Sequence, residues 1–300
     1  MFRIGLDIGG TKTELVALDA GGRELLRRRA ATPHGSYADA LEALGAMVMD
    51  AERALGAAAS VGIGLPGLVA PRTGLVCNSF ATPYNGQPLK RDLEQLLARE
   101  VRLENDANCF ALSEALDGAG RGAHCVFGVV LGTGAGGGIV VGGQLLPGAN
   151  ASAGEWGHNP LPWMTAEEFP GPRCTCGRLG CIEQFVSGTA LAADHARVTG
   201  AALPAPEVAA AAAQGDAASE ASVARLEQRL ARALAHVINL LDPDVIVVGG
   251  GLSALDRLYT NVPRLWRGFA YAEEPRTRLV RAAHGAESGV RGAAMLWPAR

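Results

Sequence analysis

FRIGLDIGGTKTELVAL, Phe2 to Leu18, decides the fold. FRIGLD alternates apolar residues with period two, GGTK is a glycine turn, and TELVAL returns with the same period, so the segment reads as strand, turn, strand. A further turn, Asp19 to Gly22, leads into a third strand in ELLRRRA. From His124 the pattern recurs as HCVFGVVL, GTGAGGG and IVVGGQLL. Two such units predict a duplicated α/β architecture, one copy per domain.

Between the copies, Tyr37 to Leu55 carries apolar residues at helical spacing, and SVGIGLPG is a strand ending in a tight turn. LKRDLEQLLARE is an amphipathic helix, VRLEND a strand and ANCFALSEAL a helix. The order βββαβαβα makes an α/β domain that ends near Gly118. The expected division is residues 1–118, completed by a helix at 288–300, and residues 119–287. Farther on, Ala201 to Ala224 is alanine-rich with helical bias, and no chemistry is read from it. Ser222 to Leu241 is a long amphipathic helix stopped by Pro243, and DVIVVGGG is a buried strand opening onto a glycine turn.

A chain of 300 residues, 48% hydrophobic and with 40 glycines, suffices for two cores with a cleft. The formal net charge of -3 gives no electrostatic footprint for nucleic acid or an anionic membrane surface. No apolar run approaches the ~18 residues of a membrane span. Arg3 and Asp7 interrupt any secretory signal, and Cys77, Cys109 and Cys125 stand singly, so a reducing cytoplasm is expected. These features favour a small-molecule partner.

DIGGTKT joins strand to strand, so it is neither a Walker loop nor a dinucleotide fingerprint. Gly9 and Gly10 let backbone N–H groups approach phosphate oxygens, Thr11 and Lys12 add a hydroxyl and a charge, and Asp7 can orient hydrated Mg2+. An ordinary hairpin turn with a surface lysine fits the same residues. In LGTGAGGG, Gly132, Thr133 and Gly134 suit phosphates from the opposite side of a cleft, or a plain glycine hairpin. Gly249, Gly250 and Gly251 follow VIVV at a strand's carboxyl end, where nucleotides bind in open α/β sheets; a helix-leading turn is the alternative.

ENDAN, Glu104 to Asn108, lies where a strand meets a helix. Asp106 is either a helix N-cap or the carboxylate that accepts the proton of an attacking hydroxyl, with Asn105 holding a neighbouring hydroxyl. Glu155, His158 and Glu183 add acceptors that together make a sugar-sized polar lining, although each also fits a plain surface role. CTCGRLGC brings Cys174, Cys176 and Cys181 together, and with His158 of EWGHNP they form a Cys3His set suited to tetrahedral Zn2+. Four protein ligands leave no position for water, which makes such a zinc structural. Inert buried thiols are the alternative.

DIGGTKT, VGIGLPG, LENDAN, LGTGAGGG, GEWGHNPLP, CTCGRLGCIE and DVIVVGGG, spread from Ile4 to Gly251, resemble the ROK family of sugar kinases and repressors. The resemblance implies an actin-like, hexokinase-like (ribonuclease H-like) two-domain ATPase fold with an interdomain cleft. It makes Asp106 the catalytic base, and places Asn105, Glu155, His158 and Glu183 on the sugar, with Gly64 in a loop near it. His158 then also binds zinc, and Gly9 to Lys12 and Gly132 to Gly134 are ATP phosphate loops. The cofactors implied are ATP with Mg2+ and a structural Zn2+, and a homodimer is common in such relatives. GEWGHNPLPWM, TPHGSY, NGQPL and AHGAESGVRGAAMLWP look most like the mannose-accepting bacterial fructokinases. N-acetylglucosamine kinase and glucokinase are the alternatives within the enzyme class. A sugar-responsive repressor would need a helix-turn-helix ahead of the phosphate turn, where Asp7 leaves no room, and a non-catalytic sugar module is disfavoured by Asp106.

Overall fold

The computed structural model describes residues 2–79 and 82–299. The chain begins as β1 (Arg3–Ile8), β2 (Lys12–Leu18) and β3 (Glu24–Ala31), a meander in which β1 pairs antiparallel with β2, and β2 with β3. Helix α1 (Tyr37–Leu55) starts where the Ser36 side chain accepts from Asp39 N, and stops where Gly56 turns left-handed and donates to Glu52 O. Ala40, Leu44, Val48 and Ala51 give it one buried face. Strand β4 (Ser60–Leu65) is followed by a hairpin that periodicity does not foretell, β5 (Leu68–Val69) with β6 (Val76–Cys77). Helix α2 (Leu89–Leu97), β7 (Val101–Asn105) and α3 (Asp106–Leu116) complete this part.

The second strand-turn-strand unit is β8 (Cys125–Leu131), β9 (Ala135–Val141) and the short β10 (Gln144–Leu145). Then come α4 (Glu183–Val186), α5 (Gly188–Thr199), α6 (Ala205–Ala213), α7 (Ala217–Leu241), β11 (Val245–Gly249), α8 (Leu258–Trp266), β12 (Arg278–Arg281) and α9 (Ser288–Met295). The alanine-rich stretch forms α6 and the start of α7, which begins earlier than the expected Ser222 because Asp216 caps it, accepting from Ser219 N at 2.7 Å. Two five-stranded sheets result, ordered β3-β2-β1-β4-β7 and β10-β9-β8-β11-β12, with parallel pairing of β1 with β4, β4 with β7, β8 with β11 and β11 with β12.

The chain divides into two compact units: Met1–Arg121 with Gly138–Ala153 and Ala286–Arg300, and Gly122–Gly137 with Gly154–Gly285. This corrects the expected 119–287 domain, since Gly138–Ala153 goes with the first unit. Gly138 lies so close to α3 that a Cβ there would stand 2.8 Å from Ala107 O, and Leu145 packs on Val16, Leu18 and Leu112. Met1, Phe80, Ala81 and Arg300, which fall inside the expected 1–118 domain and 288–300 helix, lie outside the described residues.

In the first unit, alternation sends Ile4, Leu6 and Ile8 of β1 into a core with Leu44, Val48, Val61 and Ile63. Gly5 of β1 and Gly62 of β4 sit on the opposite face, where α9 lies directly on the sheet: a Cβ would stand 2.1 Å from Val290 O at Gly5, and 1.9 Å from Ala293 O at Gly62. In the second unit, α7 buries even Arg229 and Arg232, 6% and 5% exposed, which is tolerable because Glu168 and Asp194 meet them. Arg229 Nε lies 2.9 Å and an Arg232 guanidinium nitrogen 2.7 Å from Glu168 Oε1. Burial alone would raise the Glu168 carboxyl; Arg232, the Thr165 N–H and Arg229 outweigh it and hold the group down at about 2.

Candidate active site

In the first unit, the carboxyl ends of three parallel strands bring Asp7, Gly64, Asn105 and Asp106 to one sheet edge. Asp7 aligns with Gly64 across β1 and β4, Gly64 with Glu104, and Leu65 with Asn105 across β4 and β7. The edge is kept open by glycine: a Cβ at Gly64 would lie 3.2 Å from Cys109 Sγ and 3.6 Å from Asp7 Oδ1. The N-cap reading of Asp106 is corrected here, because Asn105 is the cap, its Oδ1 accepting from Ala107 N at 2.9 Å and Asn108 N at 3.2 Å. Asn105 Nδ2 donates to Gly67 O at 3.0 Å, which uses one of its two N–H bonds.

Asp106 is exposed in the first turn of α3, where the helix dipole favours a carboxylate. Asp7, half-buried, is raised to about 7 by burial first and then by the charges of Asp106 and Glu14, with Lys12 opposing. The adjoining turn is pinned from within: Gly9 N donates to Lys12 O at 2.9 Å, and the Thr32 hydroxyl donates to Gly9 O at 2.7 Å. Gly10 and Thr11 form the tip, and Lys12, half-exposed, reaches Glu14 at 3.6 Å.

In the second unit, Gly132, Thr133 and Gly134 follow β8, and Gly249, Gly250 and Gly251 end its parallel neighbour β11, so the two glycine turns lie side by side. Gly250 has φ +80°, and a Cβ there would stand 2.5 Å from Leu131 O and 2.9 Å from Gly132 N. The first N–H of α5 is directed here as well, Gly188 N donating to Gly132 O at 2.8 Å. Glu183 Oε2 accepts from Ala135 N at 3.0 Å and occupies the space a Gly134 side chain would fill, 2.4 Å from the position of its Cβ. Glu183 Oε1 lies 3.8 Å from Cys174 Sγ, so one carboxylate joins the glycine turn to the cysteine loop.

His158, Cys174, Cys176 and Cys181 bring their ligand atoms within 4.8 Å of one another. Cys174 Sγ lies 3.5 Å from His158 Nδ1, and Cys176 Sγ 3.6 Å from Cys181 Sγ. A tetrahedron with metal–sulfur bonds of about 2.3 Å and metal–nitrogen bonds of about 2.0 Å has edges of roughly 3.5–3.8 Å, a spacing these two pairs match, while the set as a whole spans up to 4.8 Å and would draw in slightly around a soft metal ion. Cys176 is drawn down to about 6, first by the Arg178 backbone N–H, while burial pushes Cys181 up to about 12. Beside this cluster, Glu155 lies 4.0 Å from His158 Nε2, and burial raises its carboxyl, with His158 opposing.

The candidate residues thus fall into two sets, one in each unit. Sequence reading missed Thr32, Gly67, Cys109 and Gly289, which shape the first set. Gly289 of α9 approaches Asp7 so nearly that a Cβ would stand 3.1 Å from Asp7 Oδ2. Only the glycines in AHGAESGVRG hinted at this approach, and nothing local says which strand they meet.

Two mixed sheets, each with a glycine turn after its first strand, and a carboxylate pair at one sheet edge define an actin-like, hexokinase-like ATPase fold. The ROK family model matches residues 3–300. The chain belongs to the ROK family and is a phosphotransferase with an alcohol group as acceptor. It is 40% identical over 296 residues to an N-acetyl-D-glucosamine kinase of Salmonella gallinarum, an alignment covering 97% of this chain and 98% of that protein. Among solved structures it is similar to a ROK hexokinase from Thermus thermophilus, with TM-score 0.87, 33% identity, and 98% of this chain and 97% of that one covered. It is also similar to a ROK glucokinase from Streptomyces griseus in complex with glucose and AMPPNP, with TM-score 0.80, 32% identity and 99% of each chain covered. The expected fructokinase subtype finds no support in these relatives.

Proposed function

We propose that the protein is an ATP-dependent hexose kinase acting on N-acetylglucosamine, with Asp106 as general base. The observation that carries this reading is the position of Asp106, exposed in the first turn of α3 at the edge shared with Asp7. Asp106 takes the proton of the sugar's primary hydroxyl as that oxygen attacks the γ-phosphorus, the bond to the bridging oxygen breaks, and ADP leaves. The turns Gly9 to Lys12, Gly132 to Gly134 and Gly249 to Gly251 face ATP, and because Gly9 N and Gly132 N are bonded within their own turns, the N–H groups at the tips, Gly10 with Thr11 and Thr133 with Gly134, meet its phosphates. Asp7 would orient the water shell of Mg2+, which would supply positive charge against that developing on the phosphates.

Gly64, Asn105, Glu155, His158 and Glu183 are proposed to contact the sugar. Zn2+ held by His158, Cys174, Cys176 and Cys181 is structural, since protein fills all four positions. The acceptor rests on the 40% identity to an N-acetylglucosamine kinase. ADP release measured side by side with N-acetylglucosamine, glucose, mannose and fructose tests both levels. No turnover with any of the four overturns the kinase reading, and highest kcat/KM with fructose overturns the acceptor.

A further inference from the structure

At the end of β1 opposite Asp7, the first unit contains a cavity of about 700 Å³ lined by Arg3, Arg102, Leu112, Leu116, Leu145 and Trp297, among others. The indole of Trp297 is fixed by its Nε1 donating to Val61 O at 2.7 Å, and the Arg102 guanidinium stacks on its ring at 4.0 Å. Arg3 is only 8% exposed. Its terminal nitrogens reach the carbonyls of Trp297 at 3.3 Å and Asp19 at 3.2 Å, but its Nε–H has no partner.

The lining carries two guanidinium groups, Arg3 and Arg102, against one carboxylate, Asp117. Asp117 pairs with Arg291 at 2.6 Å and Asp19 with Arg23 at 3.2 Å, and the charges of both also act on Arg3. Among the described residues, no carboxylate forms a salt bridge with Arg3 or Arg102. A buried guanidinium in the lining, a second guanidinium 4.0 Å above an indole and a floor of leucines select an anionic head on an apolar body. We propose that this cavity binds a small organic anion, with its carboxylate or phosphate head on Arg3 and Arg102 and its apolar body over Leu112, Leu116, Leu145 and Trp297. None of these residues belongs to the sugar or ATP site, so the proposal stands apart from the acceptor assignment.

Isothermal titration of the whole protein with octanoate, phenyl phosphate, inorganic phosphate and 1-octanol tests it. One-to-one binding of octanoate or phenyl phosphate is expected, with the alcohol at least about tenfold weaker for want of a charge-assisted hydrogen bond and inorganic phosphate at least about tenfold weaker for want of the apolar body. Whichever organic anion binds more tightly identifies the head. Because loss of buried Arg3 can unfold the protein, the exposed lining positions Arg102 and Leu116 carry the mutational arm. Arg102→Gln and Leu116→Glu should each raise Kd about tenfold with Tm retained. Absence of binding by both organic anions, equal binding of 1-octanol, or a Kd unmoved in both variants would overturn the proposal.

Discussion

The two glycine turns, Gly9 to Lys12 and Gly132 to Gly134, each leave the first strand of a five-stranded sheet beside a parallel neighbour, yet they are built from opposite materials. The first is pinned by a hydroxyl, Thr32, and bordered by Asp7, which burial first and then the charges of Asp106 and Glu14 raise to about 7. The second is pinned by a carboxylate, Glu183, by the first N–H of α5 and by the close approach of Gly250. Duplication therefore kept the backbone shape while the surroundings diverged: the proton transfer proposed here falls to the first edge, and the second turn is tied down as a cradle.

The largest expected effect falls on the first edge. Asp106→Asn should lower kcat at least ~100-fold with little change in fold or sugar affinity, read from steady-state kinetics with circular dichroism alongside. Near-normal turnover would remove the division of labour altogether. In the cradle, Gly250→Ala forces a Cβ into the backbone of Leu131 and should destabilise the protein by about 2 kcal/mol or more. Gly251→Ala, with open space around it, should stay within about 0.5 kcal/mol. Urea titration compares the two, and equal losses would show that the cradle is not rigid.

Next, Cys176→Ser should lose bound zinc by metal analysis and raise the sugar KM roughly tenfold, because Glu183 and His158 lose their support. Retained activity in a protein shown to be free of zinc would uncouple the cysteine loop from the glycine turn. Thr32→Val removes the hydroxyl on Gly9 O and should cost about 1 kcal/mol, with a raised KM for ATP. An unchanged KM would mean that the turn holds its shape without this tie.

The smallest effect is confined to acid. Glu168, about 2 when folded against an ordinary 4.5, contributes stability that is complete above pH 4.5 and is lost as pH falls toward 2. Urea midpoints measured across that window should decline, and Glu168→Gln should flatten the decline. An identical slope in that variant would place the acid sensitivity elsewhere.

Local pattern made most elements legible before the structure. Tyr37–Leu55 declares itself through its periodicity and its Ser36 and Gly56 caps, and the glycine turns through their alternating flanks. The β5–β6 hairpin was not legible, since two-residue strands carry no period. Nor was the membership of Gly138–Ala153 in the first unit, which depends on contact with α3 and the Val16 cluster. At the site, the residue types were visible but their partners were not. Asn105 takes the cap that Asp106 was also suited to, and Glu183 holds Ala135, 48 positions away. Such pairings are decided by tertiary geometry, to which spacing along the chain is blind.

Helix α9 lies on Gly5 and Gly62, and a Cβ at its own Gly292 would come within 1.7 Å of Cys109 O. The layer that closes the first sheet is therefore supplied by residues made after the whole second unit. During synthesis the Asp7 edge stays without its Gly289 neighbour until translation has passed the second unit, so a chain released before α9 holds Asp7 and Asp106 beside a sheet that lacks its last covering helix.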